Sequence, residues 1–183
     1  MPSQAPARLL APALLATLFG LLLPVSQAGA AQTCSTAIKD STVTGDVSVE
    51  GMCTIEGSRV SGAVLLRPGA SLTIRDSSVL GPVQGDRVKT LDVTDSRLDK
   101  GLVITGGAES IRLNGSSVVG APAVLSAARI VTLDTVTIRE SLTLKDGSGT
   151  LDIKDSSISN GLSCNRGVKY RAVGSLVSGK VNC

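Results

Sequence analysis

Four cysteines have the residue type and the spacing for a defined chemistry. Cys34 and Cys53 are 19 residues apart, and so are Cys164 and Cys183. A metal site or a redox pair is disfavoured because the chain has no histidine and no CxxC, and because the two pairs lie at opposite ends of the sequence. We therefore predict two structural disulfides, Cys34–Cys53 and Cys164–Cys183, of the kind found in exported proteins.

Two aspartates, Asp76 and Asp95, are the second candidate for chemistry. Each directly precedes a serine in one copy of a repeated segment. Carboxylates on neighbouring repeats could bind calcium, which is a hard cation that takes oxygen ligands. The alternative is a turn, in which each aspartate accepts hydrogen bonds from the amides that follow it. The turn explains more of the repeats, and calcium at Asp76 and Asp95 remains the alternative.

Catalysis on an acidic polysaccharide would need carboxylates that converge on one cleft. Asp92 and Asp152 occupy the same position of the repeat, but they are separated by three repeats, which is about 14 Å. A serine nucleophile would lack its commonest base, since histidine is absent. No glycine-rich phosphate loop leads into a helix. We predict no catalytic residue, no resident metal and no cofactor, while the binding residues stay unknown.

The segment ahead of the repeats is typical of a signal peptide. Arg8 precedes an apolar run from Leu9 to Leu23, and this run is shorter than the roughly 20 residues that a membrane-spanning helix needs. The small residues at 28–30 suit a signal peptidase. The sequence predicts a signal peptide over 1–30, cleavage after Ala30 and one domain over 31–183. No later segment could span a membrane.

The rest of the chain repeats one short pattern. The stretch LTIRDSSVLG begins at Leu72, and the near copy LDIKDSSISNG begins at Leu151. Equivalent positions recur at intervals of 17 to 20 residues. They are Ser41, Ser58, Ser77, Ser96, Ser116, Val136, Ser156 and Ser175. Within each copy, two runs alternate apolar and polar residues and are separated by turn residues, which indicates short strands.

Stacked copies of this unit bury their apolar positions in continuous columns. One column contains Val43, Val60, Val79, Leu98, Val118, Ile138, Ile158 and Val177. A second contains Val49, Leu66, Gly85, Ile104, Val124 or Leu125, Leu144 and Cys164. A third contains Ile55, Ile74, Val93, Leu113, Leu133, Ile153 and Ala172. The sequence therefore predicts an all-β, single-domain parallel β-helix of seven to eight rungs of 19–20 residues. We expect it to be right-handed, because parallel strand connections almost always are.

The polar positions between these columns carry alternating charges. The formal net charge is +3 at pH 7, too small to indicate a nucleic-acid partner. Neighbouring repeats place acids beside cations, which fixes the register of the stack: Glu56 with Arg75, Asp92 with Arg112, Asp134 with Lys154, and Arg67 with both Glu50 and Asp86. A solvated face of this kind needs no ligand to explain it.

By its rung periodicity, nearly the whole of 31–183 resembles the right-handed β-helices of the pectin-lyase-like superfamily, and it is less closely similar to bactofilin solenoids. The first resemblance implies a fold; superfamily members also cleave acidic polysaccharides, with long loops that build a groove. This chain has no long loop, so the resemblance transfers no chemistry.

The function that the sequence favours is that of an exported, non-catalytic structural or interaction protein of the periplasm, cell surface or extracellular space. Two alternatives stay open: a minimal polysaccharide-active lyase-like or hydrolase-like enzyme, and a solenoid subunit that assembles with itself. The partner is unknown; an extracellular polysaccharide or another envelope protein would suit the flat polar faces. Neither nucleic acid nor a membrane span is expected.

Overall fold

The structure is a computed structural model that describes residues 31–147 and 149–183. The predicted signal peptide over 1–30 lies outside the described residues. Those residues form 23 strands, all paired in parallel, and contain no helix.

The strands form three stacks that run the length of a solenoid, and the first two stacks belong to one sheet. The first stack contains β1 (Gln32–Cys34), β4 (Val47–Val49), β7 (Val64–Leu66), the start of β10 (Val83–Thr94), the start of β12 (Leu102–Asn114), β14 (Ala123–Ser126), β17 (Leu142–Lys145), β20 (Leu162–Cys164) and β23 (Val181–Asn182).

The second stack adjoins the first, because β10 and β12 bend through the corner and belong to both. It contains β2 (Ala37–Lys39), β5 (Met52–Glu56), β8 (Ser71–Arg75), the ends of β10 and β12, β15 (Ile130–Asp134), β18 (Thr150–Lys154) and β21 (Lys169–Val173). The third stack contains β3 (Thr42–Val43), β6 (Arg59–Val60), β9 (Ser78–Val79), β11 (Arg97–Leu98), β13 (Ser117–Val118), β16 (Thr137–Ile138), β19 (Ser157–Ile158) and β22 (Leu176–Val177).

Each turn of the solenoid takes one strand from the second stack, one from the third and one from the first. Turn 1 therefore consists of β2, β3 and β4, turn 8 of β21, β22 and β23, and β1 precedes turn 1. The predicted parallel β-helix is confirmed, with about eight turns. All three predicted columns pair as expected, and the second passes through Leu125 and not Val124.

The core is aliphatic because strands of successive turns lie only about 4.8 Å apart, and stacked Val, Ile and Leu fill a narrow interior without larger side chains. Glycines allow the close approach at one corner. A Cβ at Gly81 would overlap the backbone of Gly62, and a Cβ at Gly62 would overlap the backbone of Gly45. Two successive turns thus require the absence of a side chain there.

Candidate functional site

The corner between the second and third stacks is the most regular polar feature of the molecule. One residue in every turn has a positive φ there, from 46° at Asp40 to 63° at Gly174. The column contains Asp40, Gly57, Asp76, Asp95, Gly115, Thr135, Asp155 and Gly174. Glycine, aspartate and asparagine tolerate this left-handed conformation better than other residues, so the backbone conformation explains why every member of the column except Thr135 is Asp or Gly.

The aspartate side chains of this corner point along the rod. A Cβ built on Gly57 would overlap the carboxylate of Asp40, and one on Gly115 would overlap that of Asp95. Asp155 has the same relation to Gly174. Each of these three aspartates therefore covers the glycine of the following turn, where a side chain would overlap the carboxylate.

A ladder of buried serines follows this corner. In each of these turns the serine Oγ donates to the carbonyl two residues earlier, at 2.6 Å from Ser77 to Arg75. The same Oγ accepts from the backbone N–H of the serine one turn earlier, at 3.0 Å from Ser58 to Ser77 and 3.1 Å from Ser77 to Ser96. The hydroxyls thus satisfy polar backbone groups that burial would otherwise leave unpaired.

This ladder corrects the predicted role of the aspartates. The amide that follows Asp76 donates to Ser96 Oγ, and the next amide, that of Ser78, donates to the carbonyl of Ser58. The turn itself is confirmed, but aspartate supplies its backbone conformation and serine supplies the hydrogen bonds. The repeated Asp-Ser pair was visible in the sequence; the direction of the serine bonds required the structure.

Val136 interrupts the ladder. It is 1% exposed and takes the serine position of turn 6, where it offers no hydroxyl to the N–H of Ser116. The ladder resumes in the next turn, with Val136 N–H donating to Ser156 Oγ at 2.9 Å. With valine at this position the corner stays buried, but the ladder lacks the hydrogen bond from the N–H of Ser116.

A shallow groove of about 700 Å³ runs along this corner over five turns. Asp40, Asp76 and Asp95 lie along it, together with Arg59 and Arg97. Arg97 forms an ion pair within its own turn, with Asp99. In residues 31–147 and 149–183, no three His, Cys, Asp or Glu side chains come together as metal ligands do. Calcium binding at Asp76 and Asp95 is the alternative to the turn, and among the described residues no third carboxylate lies with them as a ligand.

The surface ion pairs agree in part with the expected register. Lys154 lies 3.7 Å from Asp134, as predicted, and the predicted neighbours Glu56 and Arg75 are also in register. Glu56, however, forms its ion pair with Lys39 of the preceding turn, at 2.7 Å. Arg67 donates to Ser48 Oγ at 3.3 Å. Asp92 and Arg112 are in register without an ion pair among the described residues. The strand register alone does not determine which ion pair forms, because a long charged side chain can reach either of the two neighbouring turns.

The Lys39–Glu56 ion pair shifts the pKa of both of its side chains. The hydrogen bond and charge of Glu56 raise the pKa of Lys39 above its ordinary value of 10.5, and those of Lys39 lower the pKa of Glu56 below 4.5. The stabilisation that the ion pair provides is therefore lost as the pH falls through the lowered pKa of Glu56 or rises through the raised pKa of Lys39. Both side chains are exposed, so the pair contributes little to stability.

Two disulfides fasten the ends of the rod. The structure joins Cys34 to Cys53 with Cα atoms 5.7 Å apart, and Cys164 to Cys183 with Cα atoms 4.6 Å apart. The second disulfide follows one core column, since Asn182 pairs with Ser163 one turn earlier. The first crosses a corner, because Cys34 pairs with Val49 of the first stack whereas Cys53 lies in the second. Disulfides of this kind are typical of an oxidising compartment.

Turn 8 has exposed apolar side chains, two of them at positions that are polar in all the other turns. Val173 is 53% exposed, Leu176 65% and Val181 46%. Val173 and Leu176 occupy outward positions, and these positions are polar in each of the seven preceding turns. Val173 follows Lys39, Glu56, Arg75, Thr94, Asn114, Asp134 and Lys154; Leu176 follows Thr42, Arg59, Ser78, Arg97, Ser117, Thr137 and Ser157. Sequence inspection missed this change, although the aligned columns contain it.

No helix in the part of the chain that the structure describes is long and apolar enough to cross a membrane. The fold and its corner define the chain as a disulfide-fastened parallel β-solenoid. The chain matches no protein-family model, no curated protein and no solved structure.

Proposed function

We propose that this chain is an exported rod that acts as a structural or interaction module of the periplasm, cell surface or extracellular space, without catalysis. The observation that carries the proposal is the pair of disulfides, each of which joins residues 19 positions apart, about one turn of chain, at one end of the solenoid. Such bonds form and persist outside the reducing cytoplasm. They stop the end turns, which have a neighbour on one side only, from separating from the rod.

The charged surface supports a structural role. Asp134 and Asp152 each lie next to a cation of an adjacent turn, Lys154 and Arg171 respectively, and the Arg171 contact is 3.2 Å. Acids that are individually paired along the stack stabilise its register, whereas a catalytic pair would have to share one cleft. The proposed relatives remain the right-handed pectin-lyase-like coils, as a shared architecture and not a shared activity.

Export is tested by producing residues 1–183 and, as the matched control, residues 31–183 in a bacterium with a periplasm. The full chain is expected in the periplasm with Ala31 as its first residue and with both disulfides formed, as read by mass spectrometry. The control is expected in the cytoplasm with free thiols. Retention of the full chain in the cytoplasm would contradict the proposal.

The absence of catalysis is tested separately on the purified, oxidised protein. We expect no sugar products from a panel of uronate and neutral polysaccharides, with or without calcium. Product release that disappears in Asp76→Ala or Asp95→Ala, but persists in Ser78→Ala, would establish the enzyme in place of the structural rod.

A further inference from the structure

The charge of the molecule is concentrated at the two ends of the rod. Residues 67–164 carry eleven cationic and eleven acidic side chains, so the middle of the rod has no formal net charge. Residues 31–66 carry two cations and four acids, for a formal side-chain charge of −2. With the preceding turn included, residues 145–183 carry six cations against three acids. The loop into turn 8 and turn 8 itself, 165–183, carry no acid and have a charge of +4, from Arg166, Lys169, Arg171 and Lys180.

The four cations lie around the perimeter of this end. Lys169 and Arg171 point outward from β21, on the second stack. Lys180 lies at the corner between the third and first stacks, and Arg166 at the corner between the first and second. Within the described residues, Arg171 alone among these four forms an ion pair, with Asp152 at 3.2 Å. Positive charge therefore faces more than one side of the end.

Exposed apolar side chains lie among these cations. Val173 and Leu176 point outward on either side of one corner, and Val181 is exposed at the start of β23. Two of the core columns end at Tyr170 and Val177, which are only half-buried. The C-terminal end of the rod is therefore apolar as well as basic.

We propose that this end docks on an anionic phospholipid surface, with the rod standing on the membrane. The proposal goes beyond the proposed function, since an exported rod needs no membrane contact, and it requires no segment that spans the bilayer. Each Lys or Arg close to an anionic surface strengthens binding by about fivefold. The exposed valines and leucine add apolar area that an interface between headgroups and acyl chains can cover.

The distribution of these side chains favours a lipid surface over an acidic polypeptide. A partner strand paired with the edge of β21 would run along one side of the end, close to Lys169 and Arg171 but away from Lys180. Such a strand would continue the inward columns, so it would leave the outward side chains of Val173 and Leu176 uncovered. A soft surface that surrounds the last turn meets all of these side chains together.

The backbone limits how deeply the end can enter. Within the described chain, β21, β22 and β23 each pair on one side only. Unpaired backbone groups are excluded from hydrocarbon, so these strands stop among the headgroups, where phosphates and water can accept their N–H groups. A depth of about 5–10 Å, which is typical of interfacial segments, corresponds to one or two turns of the solenoid. Asp152 and Asp155 of turn 7 oppose deeper entry.

The opposite end fixes the orientation of the rod. Residues 31–66 are acidic, and an anionic surface repels them. The neutral middle offers no comparable excess of cations along the sides of the rod. The charge distribution therefore favours an upright rod, with turn 1 about 35 Å from the lipid that turn 8 contacts.

The test uses residues 31–183 with both disulfides formed. Vesicles of phosphatidylglycerol and phosphatidylcholine in equal parts are compared with vesicles of phosphatidylcholine alone. We expect cosedimentation with the mixed vesicles only, and an apparent dissociation constant that rises at least about tenfold between low and about 0.5 M salt, because salt screens the attraction.

Tyr170 provides a probe of the orientation. It is the only tyrosine, and the chain has no tryptophan, so tyrosine fluorescence reports turn 8 alone. Lipids that carry a nitroxide in the headgroup region are expected to quench this fluorescence in the mixed vesicles. Binding without quenching would show that another part of the rod meets the lipid, which would contradict the proposal.

Two lysine variants separate the charge of the end from the net charge of the protein. Lys169→Gln with Lys180→Gln is expected to weaken binding to the mixed vesicles by about 25-fold, or about fivefold for each cation. The matched control, Lys89→Gln with Lys100→Gln, removes the same charge from the middle of the rod. It is expected to change binding by less than about twofold, since these lysines lie more than a Debye length from turn 8.

A third variant tests the apolar contact at constant charge. Val173→Thr with Leu176→Ser introduces residue types that the same columns contain at Thr94 and Ser78. We expect about tenfold weaker binding to the mixed vesicles, because less apolar area enters the interface. Circular dichroism and disulfide mapping check that all three variants fold.

Four results would overturn the proposal. The protein could ignore the mixed vesicles, or bind phosphatidylcholine alone equally well. The two lysine variants could lose binding equally, which would show an effect of net charge only. The apolar variant could bind as well as the unmodified protein. Polygalacturonate or polyglutamate could bind as tightly as the mixed vesicles, which would assign the basic end to acidic polymers. Each result leaves the export and compartment results of the proposed function unaffected, so the two failures are distinguishable.

Discussion

Ser77 shows how one residue connects three turns of the solenoid. It donates to the carbonyl of Arg75 in its own turn and accepts the N–H of Ser58 from the turn before, while its own N–H reaches Ser96 in the turn after. It is 6% exposed, so water cannot replace these partners. The serine that begins the repeated pattern therefore has a structural role, since it satisfies buried backbone groups of neighbouring turns.

Replacing Ser77 by alanine should therefore destabilise the protein more than its small volume suggests. Ser77→Ala leaves the buried N–H of Ser58 without its acceptor, and an unpaired buried group costs about 1–3 kcal/mol of unfolding free energy. Ser78→Ala is the matched control, because Ser78 is the adjacent residue and its side chain faces outward. Urea unfolding measures both; equal stability of the two variants would refute the role of the ladder.

The roles of the corner aspartates and serines could be predicted from the sequence only in part. The Asp-Ser pairs predicted a turn at each corner, and the positive φ values of Asp76 and Asp95 agree with it. The amides that follow the aspartate do donate, but the predicted acceptor was wrong, because an aspartate and a serine at adjacent positions are equally able to accept an amide hydrogen bond. Only the position of the following turn selects serine.

At the scale of the strands, the fold depends on contacts between a strand and its equivalents one turn away. β21 pairs with β18 alone, whereas β18 pairs with β15 as well. A strand with a single neighbour loses pairing and burial on one side, so an end turn such as turn 8 separates from the rod more easily than an internal turn. The disulfide from Cys164 to Cys183 directly opposes this separation.

Removal of that disulfide should loosen one end of the molecule. Cys164→Ser with Cys183→Ser is expected to reduce the unfolding free energy by about 3 kcal/mol, because a loop of this length gains that much freedom in the unfolded chain. Hydrogen exchange should rise in β21, β22 and β23 and stay unchanged in β8 and β9. Uniform exchange along the whole rod would contradict a local fastening role.

The matched variant at the other end is Cys34→Ser with Cys53→Ser. Cys34 and Cys53 are both 3% exposed, so this change also leaves polar hydroxyls in a buried site. The loss of stability should therefore be larger than at the C-terminal end, while the increase in hydrogen exchange should be confined to β1, β2 and β5.

The whole molecule is a one-dimensional stack, and its stability should behave as a sum over neighbouring turns. Column positions recur after one complete turn, so a deletion that removes one turn preserves every contact type. Val136 and Ser156 are equivalent and 20 residues apart. Deleting 136–155 places Thr135 before Ser156, which also restores a serine at the interrupted position of the ladder.

We expect the chain without 136–155 to fold into a shorter rod with the same circular dichroism per residue and both disulfides formed. The control deletion, 136–145, removes half a turn and shifts the following strands out of their columns, so it should fail to fold. Thermal unfolding and disulfide mapping distinguish the two. A full-turn deletion that does not fold would show that the turns are not interchangeable.

The sequence by itself determined the parallel β-solenoid, its turn length, its aliphatic columns and its cysteine pairs. These follow from a local pattern that recurs every 17 to 20 residues, so the residues that lie next to one another in neighbouring turns can be aligned from the sequence alone. The tertiary structure decided the partner of Glu56, the direction of the serine ladder and the exposure of Val173 and Leu176 in turn 8. The first two depend on which adjacent turn a side chain or amide reaches. The third depends on the direction in which the side chains of β21 and β22 point, and the strand register places Val173 and Leu176 in outward columns.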